Sequence, residues 1–308
     1  MLSVCIPIFN IEVKPLVESL LSEQKKSNAP IEILLIDDCS ADNFRSANSK
    51  LTGELVRYIE LLQNIGRSRT RNEFLKYARH DWLLFLDADS RIISSDFIAH
   101  YLRETGRGAK VVCGGRIYTN LSPPEQYHLH WNYGRRNESK PATERMRHPY
   151  RSFMTNNFMI AKKTLESILF DKRIAGYGHE DTLFGYELKK RKVAIEHIEN
   201  PVLHGRLETN KEFLKKTDDA LANLCNILVY VNNAPDFIED VTLLKYYFKL
   251  KRTGFLVPFR VIFTIKQFFL KWFLLRGHLN CGIFNFYKLG RFDRTMKTFK
   301  TLIPQKNL

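Results

Sequence analysis

The sequence lacks long apolar runs and paired cysteines. No uninterrupted stretch of about 18 apolar residues occurs in the 308-residue chain, so no membrane-spanning helix is predicted. The five cysteines include no C-x-x-C pair and lie far apart, at Cys5, Cys39, Cys113, Cys225 and Cys281. An odd, scattered set is typical of reduced thiols in a cytosolic protein, and it argues against a disulfide framework or a zinc site. The amino terminus has no basic segment before its short apolar run, so it predicts a first strand instead of a targeting segment.

Acidic residues are also scarce. Lys and Arg total 48 against 33 Asp and Glu, which gives a formal net charge of +15. Such an excess favours anionic partners: nucleic acid, phosphate-bearing small molecules or an anionic membrane surface. The sequence contains no G-x-x-x-x-G-K-[ST] and no G-x-G-x-x-G after its first strand, which excludes a P-loop and argues against a dinucleotide-binding fold. A hydrophobic content of 44% with 26% charged residues is ordinary for a globular protein and argues against global disorder.

Short apolar runs alternate with amphipathic segments in the first part of the chain. The predicted strands are LSVCIPIF, IEILLID, LVRYIEL, WLLFL and AKVVCGG, and the predicted helices cover about 13–25, 67–79 and 95–104. This order predicts an α/β fold with a mostly parallel central sheet flanked by helices. Ligands of such sheets bind at the carboxyl ends of the strands. We therefore expect Asn10, Asp37, Asp38, Asp87 and Asp89 along one rim.

The pattern changes after the fifth predicted strand. Residues 115–150 are polar and aromatic with several prolines, which predicts a long functional or mobile loop. A helix is expected at about 180–191, strands within 193–204, and a helix at about 211–232. We divide the chain into a main domain, 1–232, and a helical extension, 233–308.

The extension is both aromatic and basic. From residue 242 onward, Phe and Leu are interrupted by Lys or Arg every three to six residues. This pattern is typical of a basic amphipathic helix on anionic lipid. A helix docked on the main domain, or on a partner or second copy, would show the same pattern, because Lys and Arg stems also cover apolar surface.

Two segments contain residues suited to binding a metal and phosphate. NIGRSRTRN places Gly66 at a helix start with three arginines close behind, and amides at a helix start and guanidinium groups both bind phosphate. A solvated helix face is the alternative. Asp87 and Asp89 follow the apolar run WLLFL, and carboxylates in that position suit Mg²⁺ or Mn²⁺. A strand that runs into a polar turn is the alternative there.

Two further positions are candidates for chemistry. Glu180 and Asp181 open an amphipathic helix after two glycines, either as acidic residues that complement the helix dipole or as a general base on a turn. His204 ends a later strand. It is either structural or a second metal ligand beside Asp89.

Taken in order, these segments resemble the family 2 glycosyltransferases, inverting enzymes of the GT-A fold, over about residues 1–232. The resemblance is carried by P-x-[YF]-N in SVCIPIFN, D-D-x-S in LLIDDCSAD, N-x-G-x-x-x-x-R-N in NIGRSRTRN, D-x-D in LDADS and the Glu-Asp segment GYGHEDTLFGYEL. His179 and Tyr177 depart from the residues usual before Glu-Asp, which leaves the acceptor pocket undetermined.

The resemblance implies roles for individual residues. The nucleotide-contacting set would be Pro7, Phe9, Asn10, Asp38, Asn64, Arg71, Asp87 and Ala88. Within it, Asp38 would accept a hydrogen bond from the uracil N3–H and Asp87 would lie near the ribose. Asp89, joined by His204 in some relatives, would hold Mn²⁺ or Mg²⁺. Asp181 would be the catalytic base, and Glu180 would help to bind the acceptor.

The implied activity is inverting transfer of a sugar from a nucleotide-sugar, with a UDP-sugar favoured, to a hydroxyl of a glycan or lipid-linked acceptor. Such a step belongs to cell-surface polysaccharide or glycolipid biosynthesis, and we expect it in the cytoplasm or on the inner face of the cytoplasmic membrane. A sugar-phosphate nucleotidyltransferase is an alternative, although IPIFNIEVK lacks the glycine-rich loop that it needs. A nucleic-acid-binding protein is a further alternative. The sequence lacks recognisable RNA-binding signatures, so no nucleic-acid partner is expected.

Overall fold

The computed structural model describes residues 1–174, 176–278 and 281–302, in which strands and helices alternate before a helical C-terminal part. The strands are β1 (Leu2–Ile8), β2 (Ile31–Asp37), β3 (Val56–Glu60), β4 (Trp82–Leu86), β5 (Ser90–Arg91), β6 (Val111–Cys113), β7 (Arg116–Ile117), β8 (Asn157–Ala161), β9 (Ile195–His197) and β10 (Val202–His204). The helices are α1 (Lys14–Ser27), α2 (Asp42–Ser49), α3 (Arg67–Tyr77), α4 (Phe97–Glu104), α5 (His128–Asn137), α6 (Ala142–Arg145), α7 (Lys162–Ser167), α8 (Glu180–Lys190), α9 (Asn210–Tyr230), α10 (Pro235–Asp240), α11 (Thr242–Arg252), α12 (Leu256–Leu275) and α13 (Cys281–Leu302). A 3-10 turn at Glu125–Tyr127 precedes α5.

The central sheet has seven strands in the order β3-β2-β1-β4-β8-β6-β9. Strands β1, β2, β3 and β4 pair in parallel, as do β6 and β9, and β8 runs antiparallel to both of its neighbours. The predicted α/β fold with a mostly parallel sheet is therefore confirmed. A smaller sheet, in the order β5-β10-β7, lies beyond the end of β4.

Both faces of the central sheet are buried, which explains why its strands read as continuous apolar runs. Successive side chains of a strand point to opposite faces. Val4 and Ile6 accordingly join one core cluster, with α1 and α4, while Cys5 joins the other, which includes Phe74 of α3 and Phe85 of β4. The strand interiors are mostly apolar, apart from the buried pair Ser3 and Glu32, and the polar residues Asn10, Asp38 and Asp87 follow the strand ends.

The prediction of a loop over residues 115–150 is wrong. That segment contains β7, the 3-10 turn, the ten-residue helix α5 and the short helix α6. The 42–49 segment is also helical, as α2, where no helix was predicted. In the C-terminal extension the structure contains α10, α11, α12 and α13, and residues 303–308 of that prediction lie outside the described residues.

Packing of the chain on itself gives two compact units. The first comprises Met1–Thr119, Glu138–Ala175 and Glu180–Arg206, and the second comprises Asn120–Asn137, Gly176–His179 and Leu207–Leu308. The second unit therefore includes α5 and α9 together with the C-terminal helices. The division into a main domain, 1–232, and an extension, 233–308, stays a prediction.

A buried carboxylate joins three helices of the second unit. Asp293 of α13 accepts hydrogen bonds from Arg260 Nε of α12 at 2.8 Å and from Tyr247 Oη of α11 at 3.4 Å. The Asp293 side chain is 3% exposed, so Arg260 and Tyr247, and not bulk water, satisfy its carboxylate oxygens. Close by in sequence, Gly290 lets α13 approach the Phe263 ring of α12.

The remaining sequence expectations concern cysteines and membrane spans. Cys5, Cys39, Cys113 and Cys225 are free thiols, and the side chain of Cys281 lies outside the described residues. Within the described part of the chain, no single helix passes for a membrane span by length and hydropathy. Helices α11 and α12 would pass together, but they meet at a bend of 117°.

Replacing Gly290 by valine tests the packing of α13 on α12. A Cβ atom at Gly290 would lie 2.2 Å from a Phe263 ring carbon, and Phe263 is buried. We expect Gly290→Val to lower the free energy of unfolding by about 1–3 kcal/mol. In the control Gly53→Val, where nothing lies within 4 Å of the new Cβ, the change should stay within about 0.5 kcal/mol. Urea unfolding measures both, and equal changes would contradict this packing.

Candidate active site

Asp38, directly after β2, organises the loop that begins α3. Its Oδ1 accepts from the Ile65 amide at 2.7 Å and its Oδ2 from the Gly66 amide at 2.9 Å. Asn64 Nδ2 donates to the Asp38 carbonyl oxygen at 3.1 Å. The two predicted nucleotide residues Asp38 and Asn64 are therefore brought together. The carboxylate is 5% exposed and already accepts two amide hydrogens, so its contact with a uracil ring stays a prediction.

The end of β1 and the turn after it contain three of the predicted residues. Asn10 has a left-handed backbone with φ of 52°, and its amide donates to Ser40 Oγ at 2.8 Å. Asn10 Oδ1 accepts from the Ala41 amide at 2.8 Å, which ties this turn to the start of α2. Phe9 is 52% exposed and Pro7 is half-buried, so an aromatic ring next to Asn10 is available to a ligand.

Asp87, directly after β4, is held by two arginines. Arg71 Nη2 of α3 donates to Asp87 Oδ1 at 3.2 Å, and Arg116 Nη2 of β7 donates to Asp87 Oδ2 at 3.2 Å. Burial opposes the charge of this carboxyl, but the guanidinium groups of Arg71 and Arg116 outweigh burial and hold its pKa below the usual range. The counter-ions that keep Asp87 ionised are thus arginines of the same chain.

Arg71 also connects this carboxylate to the start of α8. Its Nη1 lies 3.6 Å from Glu180 Oε1, and both side chains are buried, with 2% and 6% of their areas exposed. The same Glu180 oxygen lies 3.7 Å from Arg67 Nη1. Arg71 Nε and Nη1 have no hydrogen-bond partner among the described residues, so this buried guanidinium keeps donors for a further acceptor.

Asp89 and His204 meet because β5 pairs antiparallel with β10. Ser90 lies opposite His204 in this pairing, and the Gly205 amide donates to the Asp89 carbonyl at 2.9 Å. A Cβ atom at Gly205 would lie 2.3 Å from that carbonyl oxygen, so the close approach requires glycine. The result is a contact of 3.2 Å between Asp89 Oδ2 and His204 Nδ1.

Asp89 and His204 are suited to be two of the ligands of a metal ion. Burial and then the charge of Asp87 raise the pKa of Asp89 to about 6, which a divalent cation would reverse. Burial and then the charge of Arg116 lower the pKa of His204 to about 4, so its imidazole is neutral, as a ligand must be. The described residues contain no group of three His, Cys, Asp or Glu side chains placed to hold a metal by themselves. Asp89 and His204 therefore fit as two ligands of an ion whose shell water or ligand oxygens would complete.

Asp181 lies at the start of α8, next to Glu180. Its Oδ1 accepts from the Thr182 amide at 2.7 Å. Burial, followed by the neighbouring charge of Glu180, raises the pKa of Asp181 to about 6. A carboxyl with a pKa near neutrality can take and release a proton at physiological pH, as general bases do.

Sequence reasoning missed three residues of this site, all within or next to the segment predicted as a loop. Arg116 Nη1 donates to Glu138 Oε2 at 3.1 Å, and Tyr118 Oη donates to the same oxygen at 2.6 Å. The Tyr118 and His204 rings lie 4.9 Å apart between centroids. The signal that could have revealed Arg116 is its position after the two glycines that follow an apolar strand, on the expected rim. Ala88, predicted in the nucleotide set, packs partly against the core cluster that includes Leu86.

Residues 3–168 match the model of the family described as glycosyl transferase family 2, which is more than half of the chain. The chain belongs to glycosyl transferase family 2. The matched region contains Asn10, Asp38, Arg71, Asp87 and Asp89 and ends before Asp181. The predicted family is thereby confirmed.

Similar proteins agree with this family. An uncharacterized glycosyltransferase of Haemophilus influenzae is 37% identical over 91 residues, which cover 29% of this chain and 29% of that protein. The match therefore spans less than a third of that relative, and it does not extend to the rest of either chain.

Two solved structures have the same fold. A mannosyltransferase from Pyrobaculum calidifontis, in complex with GDP-Man and Mn²⁺, has a TM-score of 0.56 at 13% identity, covering 99% of this chain and 88% of its own. Glucosyl-3-phosphoglycerate synthase from Mycobacterium tuberculosis, in complex with Mg²⁺ and UDP, has a TM-score of 0.50 at 14% identity, covering 73% of this chain and 78% of its own. At these identities the likeness concerns the fold, and the expected GT-A architecture of this family 2 chain is confirmed.

Removing Arg116 tests the clamp on Asp87 in this family 2 protein. Arg116→Gln removes one of the two guanidinium groups that contact Asp87, and the guanidinium group that contacts Glu138, in a site where the three side chains are 15%, 26% and 23% exposed. We expect the free energy of unfolding at pH 7 to fall by about 3 kcal/mol, because a largely buried ion pair loses one partner.

The control is Arg107→Gln, which removes a 3.0 Å pair with Glu104 at the surface, where the Arg107 side chain is 69% exposed. Its effect should stay below about 1 kcal/mol. Urea unfolding compares the two variants. Equal losses would contradict a special role of Arg116.

Proposed function

We propose that this family 2 protein transfers a sugar from a nucleotide-sugar, with a UDP-sugar favoured, to an acceptor hydroxyl with inversion at the anomeric carbon. The observation that carries the proposal is the connected set around Asp87. Arg71 contacts both Asp87 and Glu180, and Asp181 directly follows Glu180. A cationic group suited to a diphosphate is thus linked to a carboxyl suited to proton transfer.

The proposed donor site lies at the carboxyl ends of β1, β2 and β4, where parallel sheets bind ligands. Asn10, Asn64 and the exposed Phe9 ring would contact the nucleotide. Arg71, with two buried guanidinium nitrogens that lack a partner among the described residues, would donate to diphosphate oxygens. The two solved structures named above contain a nucleotide or nucleotide-sugar with a divalent metal, and we carry this over to the present chain as a proposal.

We assign the metal ligands to Asp89 and His204. Their carboxylate oxygen and neutral imidazole form a donor set suited to Mn²⁺ or Mg²⁺. A divalent cation bound there would supply stabilisation of the charge that develops on the departing diphosphate. Asp87, kept ionised by Arg71 and Arg116, would remain available to a ribose hydroxyl through its acceptor lone pairs.

Asp181 would act as the base. As the acceptor oxygen attacks the anomeric carbon, the proton of its hydroxyl passes to an Asp181 carboxylate oxygen, and the bond to the diphosphate breaks on the opposite side of the sugar. A single displacement of this kind inverts the anomeric configuration. Glu180, 6% exposed and near two guanidinium groups, would hold the arginines beside the acceptor.

We propose a glycan or lipid-linked acceptor and a role in cell-surface polysaccharide or glycolipid biosynthesis. The free thiols of Cys5, Cys39, Cys113 and Cys225 support action in a reducing compartment such as the cytoplasm. Family membership favours glycosyl transfer over the nucleotidyl transfer and nucleic-acid binding that the sequence left open.

A screen of UDP- and GDP-sugars with Mn²⁺ tests the donor proposal. We expect one UDP-sugar to raise the melting temperature by several degrees when present at about a hundred times its Kd, because a ligand that binds the folded state stabilises it. Asp89→Asn should lose the Mn²⁺-dependent part of this shift.

The matched control is Asp81→Asn. Asp81 is exposed and lies before β4, at the end of the strand opposite to Asp89. This variant should keep the full shift. Release of pyrophosphate in place of UDP would assign the site to nucleotidyl transfer instead, and the absence of any shift or turnover would contradict the donor proposal.

The pH dependence of transfer tests Asp181. Its pKa is about 6, so lowering the pH through 6 protonates the base. With donor and metal saturating, we expect the turnover rate to fall about tenfold for each pH unit below this value. Asp181→Asn should reduce turnover at pH 7.5 by about a hundredfold or more while urea unfolding stays cooperative. A variant that kept wild-type turnover, or a wild-type rate independent of pH between 5 and 7, would remove Asp181 from the base role.

A further inference from the structure

Helix α12 of the second unit presents large apolar side chains outward. Ile265 and Phe268 are 74% and 79% exposed, and Val261, Phe269 and Trp272 are 57%, 62% and 49% exposed. These positions recur at intervals of three or four residues, so they form one stripe along the helix. Single exposed apolar residues are ordinary, but a continuous aromatic and aliphatic stripe indicates an interaction surface.

The stripe is not the face by which α12 packs into its own unit. Phe259, Phe263, Leu270 and Leu274 are buried, and on a helix they lie on the side opposite Ile265 and Phe268. The Phe259 ring lies 4.8 Å from that of Phe286 in α13, between centroids. Packing within the second unit therefore explains one half of the apolar surface of α12 and leaves the other half exposed.

The charges around the stripe are of one sign. Residues 241–302 contain thirteen Lys and Arg but a single acidic residue, Asp293. Asp293 is buried and bonded to Arg260, so it contributes no negative charge to the surface. Lys266 and Lys271 of α12 and the following Arg276 are exposed. The exposed stripe is thus bordered by cations without nearby exposed anions on the same segment.

We propose that the exposed face of α12 binds the surface of an anionic phospholipid bilayer, with the helix lying in the plane of the interface. The apolar stripe would enter the boundary between headgroups and acyl chains, while the lysines at its borders contact lipid phosphates. Trp272, whose ring lies 4.3 Å below the Arg276 guanidinium carbon, combines an aromatic body with a cation at the end of the helix.

Two alternatives to a lipid surface are a second copy of the chain and a transmembrane span, and both fit this face of α12 less well. A second copy of the chain would bring two strongly basic surfaces together, which like-charge repulsion opposes. A transmembrane span would need one long apolar helix, whereas α12 passes that test only together with α11, across a bend of 117°. An anionic lipid surface matches both the apolar stripe and its cationic borders.

Sedimentation of the full-length protein with lipid vesicles tests this surface. We expect binding to vesicles of phosphatidylcholine with about one-third phosphatidylglycerol, and binding at least about tenfold weaker to phosphatidylcholine alone. Ile265→Glu combined with Phe268→Glu should weaken binding to the anionic vesicles by at least about tenfold. Both side chains are exposed, so the double variant loses no core packing and should unfold as the wild type does.

The matched control carries the same change of charge elsewhere. Ile93 and Leu169 are 51% and 43% exposed and lie in the first unit, so Ile93→Glu with Leu169→Glu also adds two negative charges at exposed apolar positions. It should bind vesicles nearly as the wild type does. Equal losses in both double variants would show that net charge alone drives binding, and undiminished binding by the α12 variant would also overturn the proposal.

Tryptophan fluorescence gives a second readout that needs no activity, so its outcome is independent of the proposed function. Insertion of Trp272 predicts a blue shift of emission on anionic vesicles, which Trp272→Phe should abolish and Trp82→Phe should retain. A shift that survives Trp272→Phe would overturn the proposal. So would concentration-dependent dimerisation without lipid that the α12 double variant abolishes, or membrane-bound protein that resists extraction at alkaline pH.

Discussion

Asp87 stays ionised in a largely buried position because Arg71 and Arg116 each donate to one of its carboxylate oxygens, and the geometry of the site depends on this pair of contacts. The two arginines come from different elements, α3 and β7, so the carboxylate after β4 joins three parts of the first unit. Arg71 extends the connection to Glu180 at the start of α8. A single, largely buried charge is thereby connected to the elements that carry other candidate residues. Removing one arginine would leave one oxygen of this largely buried carboxylate without its guanidinium donor.

The same arrangement gives three aspartates different properties. The arginines lower the pKa of Asp87, whereas burial beside another carboxylate raises the pKa of Asp89 and of Asp181 to about 6. Asp87 therefore keeps its charge over the physiological range. The other two respond to a cation or to a proton, which suits metal binding and general base catalysis. Environments that push the pKa values of like residues apart are characteristic of active sites.

In the second unit, helix α12 has apolar side chains on both a buried and an exposed side. Phe263 and Phe268 lie in the same helix, α12, yet one is 2% exposed and the other 79%. The buried side is explained by the close approach of α13 at Gly290 and by the rings of α13, and the buried Asp293 binds Arg260. What remains exposed is apolar with a cationic border. A helix with apolar side chains on two opposite sides needs an apolar environment on the side that its own unit does not cover.

The sequence by itself determined the alternation of strands and helices, and with it the rim on which Asn10, Asp38 and Asp87 lie. Strands β1 to β4 and helices α3, α8 and α9 were predicted to within about two residues, because their apolar periodicity is a local property of the chain. Helix α5 was not predicted, since its polar and aromatic sequence is stabilised by distant partners. The Leu129 amide donates to Asn210, and the His130 ring stacks on Phe213.

In the candidate site, too, the sequence identified individual residues, whereas the tertiary structure decided their contacts. The motifs identified Asp89 and His204 separately, but their contact of 3.2 Å depends on the pairing of β5 with β10, which joins residues more than a hundred positions apart. Arg116 could not be predicted as the partner of Asp87 for the same reason. Short-range patterns specify secondary structure and the order of motifs. Tertiary structure alone decided which charges meet, and therefore which carboxyl stays ionised and which can bind a metal or a proton.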